Sequence, residues 1–286
     1  MHPITRRFPD RRAFITGGGS GLGRCLAEML AADGWTIGLT DVDGERLAET
    51  ERTITERGGT PLSYAFDVTD RAAYEHAARD FLASTGGIDL LVNNAGVYSS
   101  GLFEDIPADD WTWLMDINLH GVVTGCRLFV PVFKQQEHGQ IINISSAAGF
   151  SNAPGMAAYS ASKAAVTSLS ETLHVELAGH GVGVTVTETT FFQSNLWTTG
   201  RAADGWGDLS QKLIATGIST ERVARAVLRA AARQRLRVIM PFSARLLRLA
   251  KRLVPGLFLA GSRRMLDRRD VLERRVEAAY RKRMTS

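Results

Sequence analysis

The chain has 286 residues, 44% hydrophobic and 22% charged, which is ample for a sizeable core and excludes a fibrous, low-complexity or disordered protein. Two cysteines, Cys25 and Cys126, are too few for a disulfide scaffold, the first twelve residues lack the apolar core of a signal peptide, and no apolar run is long enough for a bilayer span, so a cytoplasmic protein is expected. The net charge of +4 conceals a division: residues 221–286 carry nineteen Lys and Arg against five Asp and Glu, a net of +14, leaving −10 on the rest.

Arg12–Thr16 reads as a short strand that runs into Gly17-Gly18-Gly19-Ser20-Gly21-Leu22-Gly23, followed by a helical pattern with Leu22, Leu26, Met29 and Leu30 on one side. Strand, glycine-rich turn and helix N-terminus make a phosphate site, because glycines allow close backbone approach and the free amides and helix dipole face the anion. The candidate contacts are Gly17, Gly19, Ser20, Gly21, Leu22 and Gly23. A second strand, Thr36–Thr40, ends at Asp41. A carboxylate about 20 residues past such glycines accepts hydrogen bonds from an adenosine ribose and repels a 2′-phosphate. The glycine turn offers no cation, so NAD is the expected cofactor and NADP the less favoured one. Asp41 could instead cap the next helix, a task also open to Asp43.

A polar helix over Glu45–Arg57 follows, then a strand over Leu62–Phe66 ending in Asp67-Val68, and a helix over Asp70–Ser84. Ile88–Val92 is almost wholly apolar, as buried parallel strands are, and leads into Asn93-Asn94-Ala95-Gly96. The pattern predicts one long helix over Trp111–Gln135 with Asn118 inside it, a strand over Gln140–Ile144 ending in Ser145-Ser146, a helix over Ala157–Ala178, and strands over Val182–Val186 and Arg235–Met240. Strands alternating with helices predict a Rossmann-like, doubly wound parallel α/β sheet in a single domain, 1–241, with a basic extension, 242–286. Tyr159 and Lys163 stand four apart on one helix and so share a face. A phenol ionises near ~10, and a nearby ammonium lowers that value, so the pair suits general acid/base work on a carbonyl or alcohol.

The ordered set Thr16-Gly17-x-x-x-Gly21-x-Gly23, Asp67, Asn93-Asn94-Ala95-Gly96, Asn118, Ser146 and Tyr159-x-x-x-Lys163 resembles the short-chain dehydrogenase/reductase family over roughly residues 10–241. The resemblance implies an oxidoreductase that moves a hydride between NAD(H) and a secondary alcohol or ketone. It implies that Tyr159 exchanges the proton, Ser146 holds the substrate oxygen, Lys163 binds the nicotinamide ribose and lowers the tyrosine pKa, and Asn118 organises a water-linked relay. Cofactor contacts follow for Asp41, Asp67, Val68, Asn94, Ala95, Gly96, Tyr159, Lys163, Thr189 and Ser194. The family serine lies thirteen residues before the tyrosine, which selects Ser146; adjacent strand residues face opposite ways, so Ser145 is expected to be structural. Where the family has Pro-Gly, this chain has Thr189-Thr190, with Ser194 at the position of a nicotinamide-side threonine. That departure supports an alternative, a non-catalytic nucleotide sensor on the same fold. A homodimer or homotetramer through the two long helices is expected, and no nucleic-acid partner or metal.

Candidate pocket residues are Tyr98, Phe103, Phe150, Met156, Phe191, Phe192, Trp197, Trp206 and Leu209. Several fall in 194–217, read as a lid, and together they suggest a bulky apolar substrate such as a steroid, retinoid, terpenoid or acyl chain. In the extension, Leu246, Leu247, Leu249, Leu253, Leu257 and Phe258 alternate with Arg245, Arg248, Lys251 and Arg252. The first expectation is docking on the acidic body or a neighbouring subunit; the second is peripheral contact with a membrane surface.

Overall fold

The computed structural model describes residues 1–203 and 206–268, with 273–274, 276–278 and 280 beyond them, the side chains of Trp197 and Ser210 excepted. Its strands are β1 Arg12–Thr16, β2 Thr36–Asp41, β3 Thr60–Ala65, β4 Leu90–Asn93, β5 Ser99–Ser100, β6 Gly139–Ile144, β7 Val182–Thr189, β8 Arg201–Ala202 and β9 Arg237–Met240. Its helices are α1 Pro3–Arg7, α2 Gly21–Ala31, α3 Gly44–Glu56, α4 Arg71–Thr85, α5 Ala108–Met115, α6 Gly121–Gln136, α7 Ala148–Ser151, α8 Ala157–Glu176, α9 Gly207–Ala215, α10 Thr220–Ala232, α11 Phe242–Leu253 and α12 Pro255–Asp267.

Seven strands form one parallel sheet in the order β3-β2-β1-β4-β6-β7-β9. The central strands are apolar because both faces are covered. Ala13 and Ile15 of β1 point into one core with Leu22, Leu26 and Leu30 of α2 and Val223, Val227 and Leu228 of α10. Phe14, one residue out of phase, points into the other core with Phe81 of α4, Phe129 and Phe133 of α6 and Val166 of α8. This alternation is the strand period of two acting on a doubly covered sheet. The chain leaves β1 outward to β2 and β3, then returns to β4 on the other side. The strand order therefore reverses between β1 and β4, and in open α/β sheets ligands bind at the carboxyl ends of such strands.

Three segments differ from the sequence reading. The long helix expected over Trp111–Gln135 is α5 and α6 joined by a π-helical turn at Asp116–His120, which carries Asn118. One residue is in effect inserted into the turn, which rotates Asn118 inward; π-turns commonly mark such polar placements. Strand β7 extends to Thr189, so Thr187, Glu188 and Thr189 are buried ladder residues and not a turn. Neither Thr189 nor Thr190 has a positive φ, so the bend after β7 makes no demand for glycine. The first helix, α1, was not anticipated: Ile4 and Phe8 are buried, and Trp35 Nε1 donates to Thr5 Oγ1 at 3.0 Å. The described residues of 194–217 include a short helical turn at Asn195–Thr198, β8 paired to β5, and α9.

Candidate active site

The glycine turn is shaped by its neighbours. Gly17 and Gly21 have φ of +64° and +53°, where other residues are strained. A Cβ on Gly23 would lie 2.1 Å from the carbonyl oxygen of Gly17, and one on Gly19 would lie 2.9 Å from Asp41 Oδ2. The Gly19 amide donates to that same Oδ2 at 2.9 Å, and the Asp43 amide donates to Oδ1 at 3.1 Å. Asp43 is the cap of α3, accepting from the Arg46 amide at 3.1 Å, so Asp41 is released from capping and stands at the rim of the cavity. Arg46, ion-paired to Asp43 at 3.0 Å, lines the same rim. The sequence predicts no cation within the glycine turn; Arg46 comes instead from the first turn of α3, the helix that follows Asp41.

The strand ends sew this region together. Thr16 Oγ1 accepts from the amides of Asn94 and Ala95, each at 3.0 Å, and Asn94 Nδ2 donates to the carbonyls of Thr16 and Gly17 at 2.9 and 3.0 Å. Asp67 accepts from the Thr69 amide and hydroxyl, both at 2.9 Å, and reaches the cavity wall with Val68. Ser194 and Ser20 line the cavity near Gly21. Gly96 approaches closely, since a Cβ there would lie 3.0 Å from Asn118 Oδ1 and 3.4 Å from Lys163 Nζ.

At the other end of the cavity lie Ser146, Tyr159 and Lys163. The pleat separates the two serines as expected. Ser145 Oγ donates to the Lys163 carbonyl at 2.7 Å, pinning α8 to β6. Ser146 Oγ accepts from the Ala148 amide at 3.1 Å, donates to the Thr189 carbonyl at 3.4 Å, and is hydrogen-bonded to the Tyr159 phenol. Lys163 Nζ donates to the Ile144 carbonyl at 3.0 Å and sits 5.7 Å from the centre of the Tyr159 ring. Burial pushes the phenol up to about 12, with Ser146 pulling the other way, and pushes the lysine down to about 8. The sequence reading had the ammonium lowering the phenol. In the ligand-free chain desolvation prevails at both groups, because each gives up water for few polar partners.

Asn118 is fully buried. Its Oδ1 accepts from the Val97 amide at 2.8 Å, while Nδ2 donates to the Val97 carbonyl at 2.9 Å and to Ser162 Oγ at 3.2 Å. It braces the loop after β4 against α8, and its side chain is spent on that brace; it does not form part of the cavity wall.

The cavity holds about 980 Å³ and runs continuously from the glycine turn past Tyr159 to the C-terminal helices. Of the expected pocket aromatics and Met, Tyr98, Met156, Phe191 and Phe192 line it. Phe103 is exposed and stacks edge-on against Trp111; Trp206 and Leu209 are buried in packing, and Phe150 lies off the wall. The Trp197 side chain lies outside the described residues. Trp113, Leu196, Leu247, Leu257, Phe258 and Met265 also line it; the last four come from α11 and α12, in keeping with the expectation that an extension placed after the last strand lies near the substrate mouth or reaches a neighbouring subunit, although no single one of the six is expected on the wall from the sequence.

A family model described as short chain dehydrogenase matches residues 11–204. Among curated relatives, the protein named "Probable oxidoreductase EphD" of Mycobacterium tuberculosis is 38% identical over 200 residues, 69% of this chain; the matched part is 34% of that protein, so this chain spans about a third of its length. The 2-dehydro-3-deoxy-L-rhamnonate dehydrogenase (NAD(+)) of a Sphingomonas species is 37% identical over 183 residues, covering 64% of this chain and 72% of that one. Among solved structures, a short chain dehydrogenase/reductase from Burkholderia phymatum in complex with NAD superposes with a TM-score of 0.80 at 31% identity, over 85% of this chain and 94% of that one.

Proposed function

The chain belongs to the short-chain dehydrogenase/reductase family, and we propose that it transfers a hydride between NAD(H) and a bulky, apolar secondary alcohol or ketone. One observation carries this reading: a buried phenol and amine, Tyr159 and Lys163, stand with the half-buried hydroxyl of Ser146 in a mainly apolar cavity that continues without a break to the glycine turn. The residues fit a dinucleotide. A Cβ at Gly17, Gly19 or Gly23 would collide with Asn94, Asp41 or the Gly17 carbonyl, so glycine there lets the turn close tightly and keeps the backbone of Gly17, Ser20, Gly21 and Leu22 on the cavity wall, while Asp41, Asp67, Val68 and Asn94-Ala95-Gly96 border the path towards Lys163. The bound nicotinamide supplies or takes the hydride. Ser146 orients the substrate oxygen by hydrogen bonding. Tyr159, protonated at neutral pH, gives its proton to that oxygen during reduction and takes one back during oxidation. Lys163 holds the nicotinamide ribose, and Asn118 positions α8 through Ser162. Thr189 and Ser194 bound the nicotinamide side.

The sensor alternative loses its motive, because β7 continues through Thr189 and the bend that follows it takes no positive φ at Thr189 or Thr190. A panel of apolar secondary alcohols with NAD, followed at the nicotinamide absorbance, tests the assignment; NAD binding with no turnover across the panel would favour the sensor.

Asp41 carries the preference for NAD over NADP. Its carboxylate is held at the rim by two amides, and Arg46 is engaged with Asp43. Asp41→Ala is expected to strengthen NADP relative to NAD by about 1–3 kcal/mol, the scale of one partly buried charge. Titration of both oxidised cofactors checks this, and equal affinities in the unmutated chain would end it.

For assembly, we assign a homodimer or tetramer to the outer faces of α6 and α8. On α8, Ala161, Ala164, Ala165 and Ser168 form a small-residue surface that permits close helix approach. Light scattering at micromolar concentration should show more than one chain per particle.

A further inference from the structure

The two C-terminal helices line the cavity mouth with some of their apolar side chains and leave others facing away from the body. Phe242, Leu246, Leu249 and Leu253 of α11 are 68%, 53%, 51% and 67% exposed. They recur at i, i+4, i+7 and i+11, so at about 3.6 residues per turn they form one stripe. Ala244, the buried residue of α11, lies on the opposite side, so the stripe points away from the body. In α12 no residue is buried, and Leu257 and Leu259 are 74% and 54% exposed. Between them the helices carry Arg245, Arg248, Lys251, Arg252, Arg263 and Arg264 against Asp267 alone. Among the described residues, Arg248 to Glu188 at 3.7 Å is the one ion pair these side chains make with the body. The expected docking of the basic segment on its own acidic body is thus confined to α11: Arg248 pairs with Glu188, Arg245 Nε donates to the Ile239 carbonyl at 3.2 Å, and Lys251 Nζ donates to Asn152 Oδ1 at 2.6 Å.

We propose that α11 and α12 seat the protein on an anionic lipid surface, with the outward leucines entering the acyl boundary and the arginines meeting the headgroups. An outward apolar stripe flanked by cations is the pattern of helices that lie in a membrane interface, and a cationic set with few internal partners is complementary to anionic lipid. A second copy of this chain would have to supply equal negative charge to the same face, whereas a bilayer supplies charge and apolar volume together. Leu247 and Leu257 line the cavity from these same helices, so its mouth opens beside the seated face. If the redox reading above holds, the substrate reaches Tyr159 from the bilayer; the seating itself does not depend on that reading.

The test is sedimentation of the full chain with phosphatidylglycerol vesicles. The protein is expected to pellet at low salt, to be released at high salt, and to bind phosphatidylcholine vesicles far less. Leu249→Asp/Leu253→Asp and Arg252→Glu/Arg263→Glu should each weaken binding by about tenfold or more with unchanged melting temperature, since these side chains face solvent. Wild-type protein left in the supernatant, or variants that pellet like wild type, would overturn the proposal. So would light scattering in which Leu249→Asp/Leu253→Asp splits an oligomer, because the stripe would then be covered by a second copy.

Discussion

Tyr159→Phe is expected to lower turnover by about 10²–10⁴-fold while leaving NADH affinity within experimental error. The phenol is the one acidic hydroxyl that burial has kept protonated beside Ser146, and phenylalanine fills the same volume without a transferable proton. Folding should change by no more than about 1 kcal/mol, the net value of one hydrogen bond, because Ser146 keeps its contacts to Ala148 and Thr189. Steady-state rates and a fluorescence titration of NADH separate the two effects. A variant that turns over near the wild-type rate removes Tyr159 from the proton path; one that no longer binds NADH shows a structural role instead.

The same two buried groups set a pH signature in the ligand-free protein. Lys163 titrates near 8 when folded, against an ordinary value of 10.5. Between these values the unfolded chain holds the extra proton, so stability rises with pH across that window. Tyr159 behaves oppositely: its ordinary value is 10.0 and its folded value about 12. Above pH 10 the unfolded chain has lost a proton that the folded chain retains, and stability falls towards pH 12. The two contributions together peak near pH ~10. Burial raises Tyr64, Tyr74, Cys25 and Cys126 as well, so these groups share the alkaline fall, and thermal melts against pH should show Tyr159→Phe with a shallower fall above pH 10 and an unchanged rise below it.

The sheet was legible because its signals are local. Strand patterns such as Ile88–Val92 and the glycine turn after β1 depend on neighbours in sequence, and the order of motifs carried Ser146, Tyr159 and Lys163 to one cavity. The choice between Ser145 and Ser146 also needed only the pleat. What was missed depends on contacts distant in sequence. Burial at Tyr159 and Lys163 comes from packing on the loop after β4 and on α7, and no i, i+4 argument measures desolvation. The inward turn at Asn118 arises from a π-turn that a 3.6 periodicity smooths over. Arg46 and the cavity-lining residues of α11 and α12 come into place only when β2, α3 and the C-terminal helices are assembled. The aromatic residues taken for pocket walls show the converse: Trp206 packs against Gly155, where even a Cβ would lie 2.0 Å from the indole, so its bulk serves the fold.

Gly23→Ala and Gly44→Ala are expected to part company sharply, although both add one methyl near the start of a helix beside the cofactor cradle. At Gly44 the nearest atom to the new Cβ is Ala65 Cβ at 3.9 Å, an ordinary contact, and the position takes no positive φ. Alanine there should be neutral or stabilise by about 0.5–1 kcal/mol through a less disordered unfolded chain. At Gly23 the methyl would meet the Gly17 carbonyl oxygen at 2.1 Å and Asn94 Nδ2 at 2.5 Å. Neither can yield cheaply, since Gly17 is backbone and Asn94 is held by hydrogen bonds to the Thr16 and Gly17 carbonyls. The turn must open, at a cost of about 1–3 kcal/mol or more, and the amides at the start of α2 shift from the anion they are expected to hold. NAD affinity should fall by at least about tenfold, one power of ten for each 1.4 kcal/mol of misplaced contact. Denaturant melts and NAD titration of both variants check the pair. If Gly23→Ala folds and binds NAD as the parent does, the glycine turn is not the seat of the cofactor, whatever happens at Tyr159.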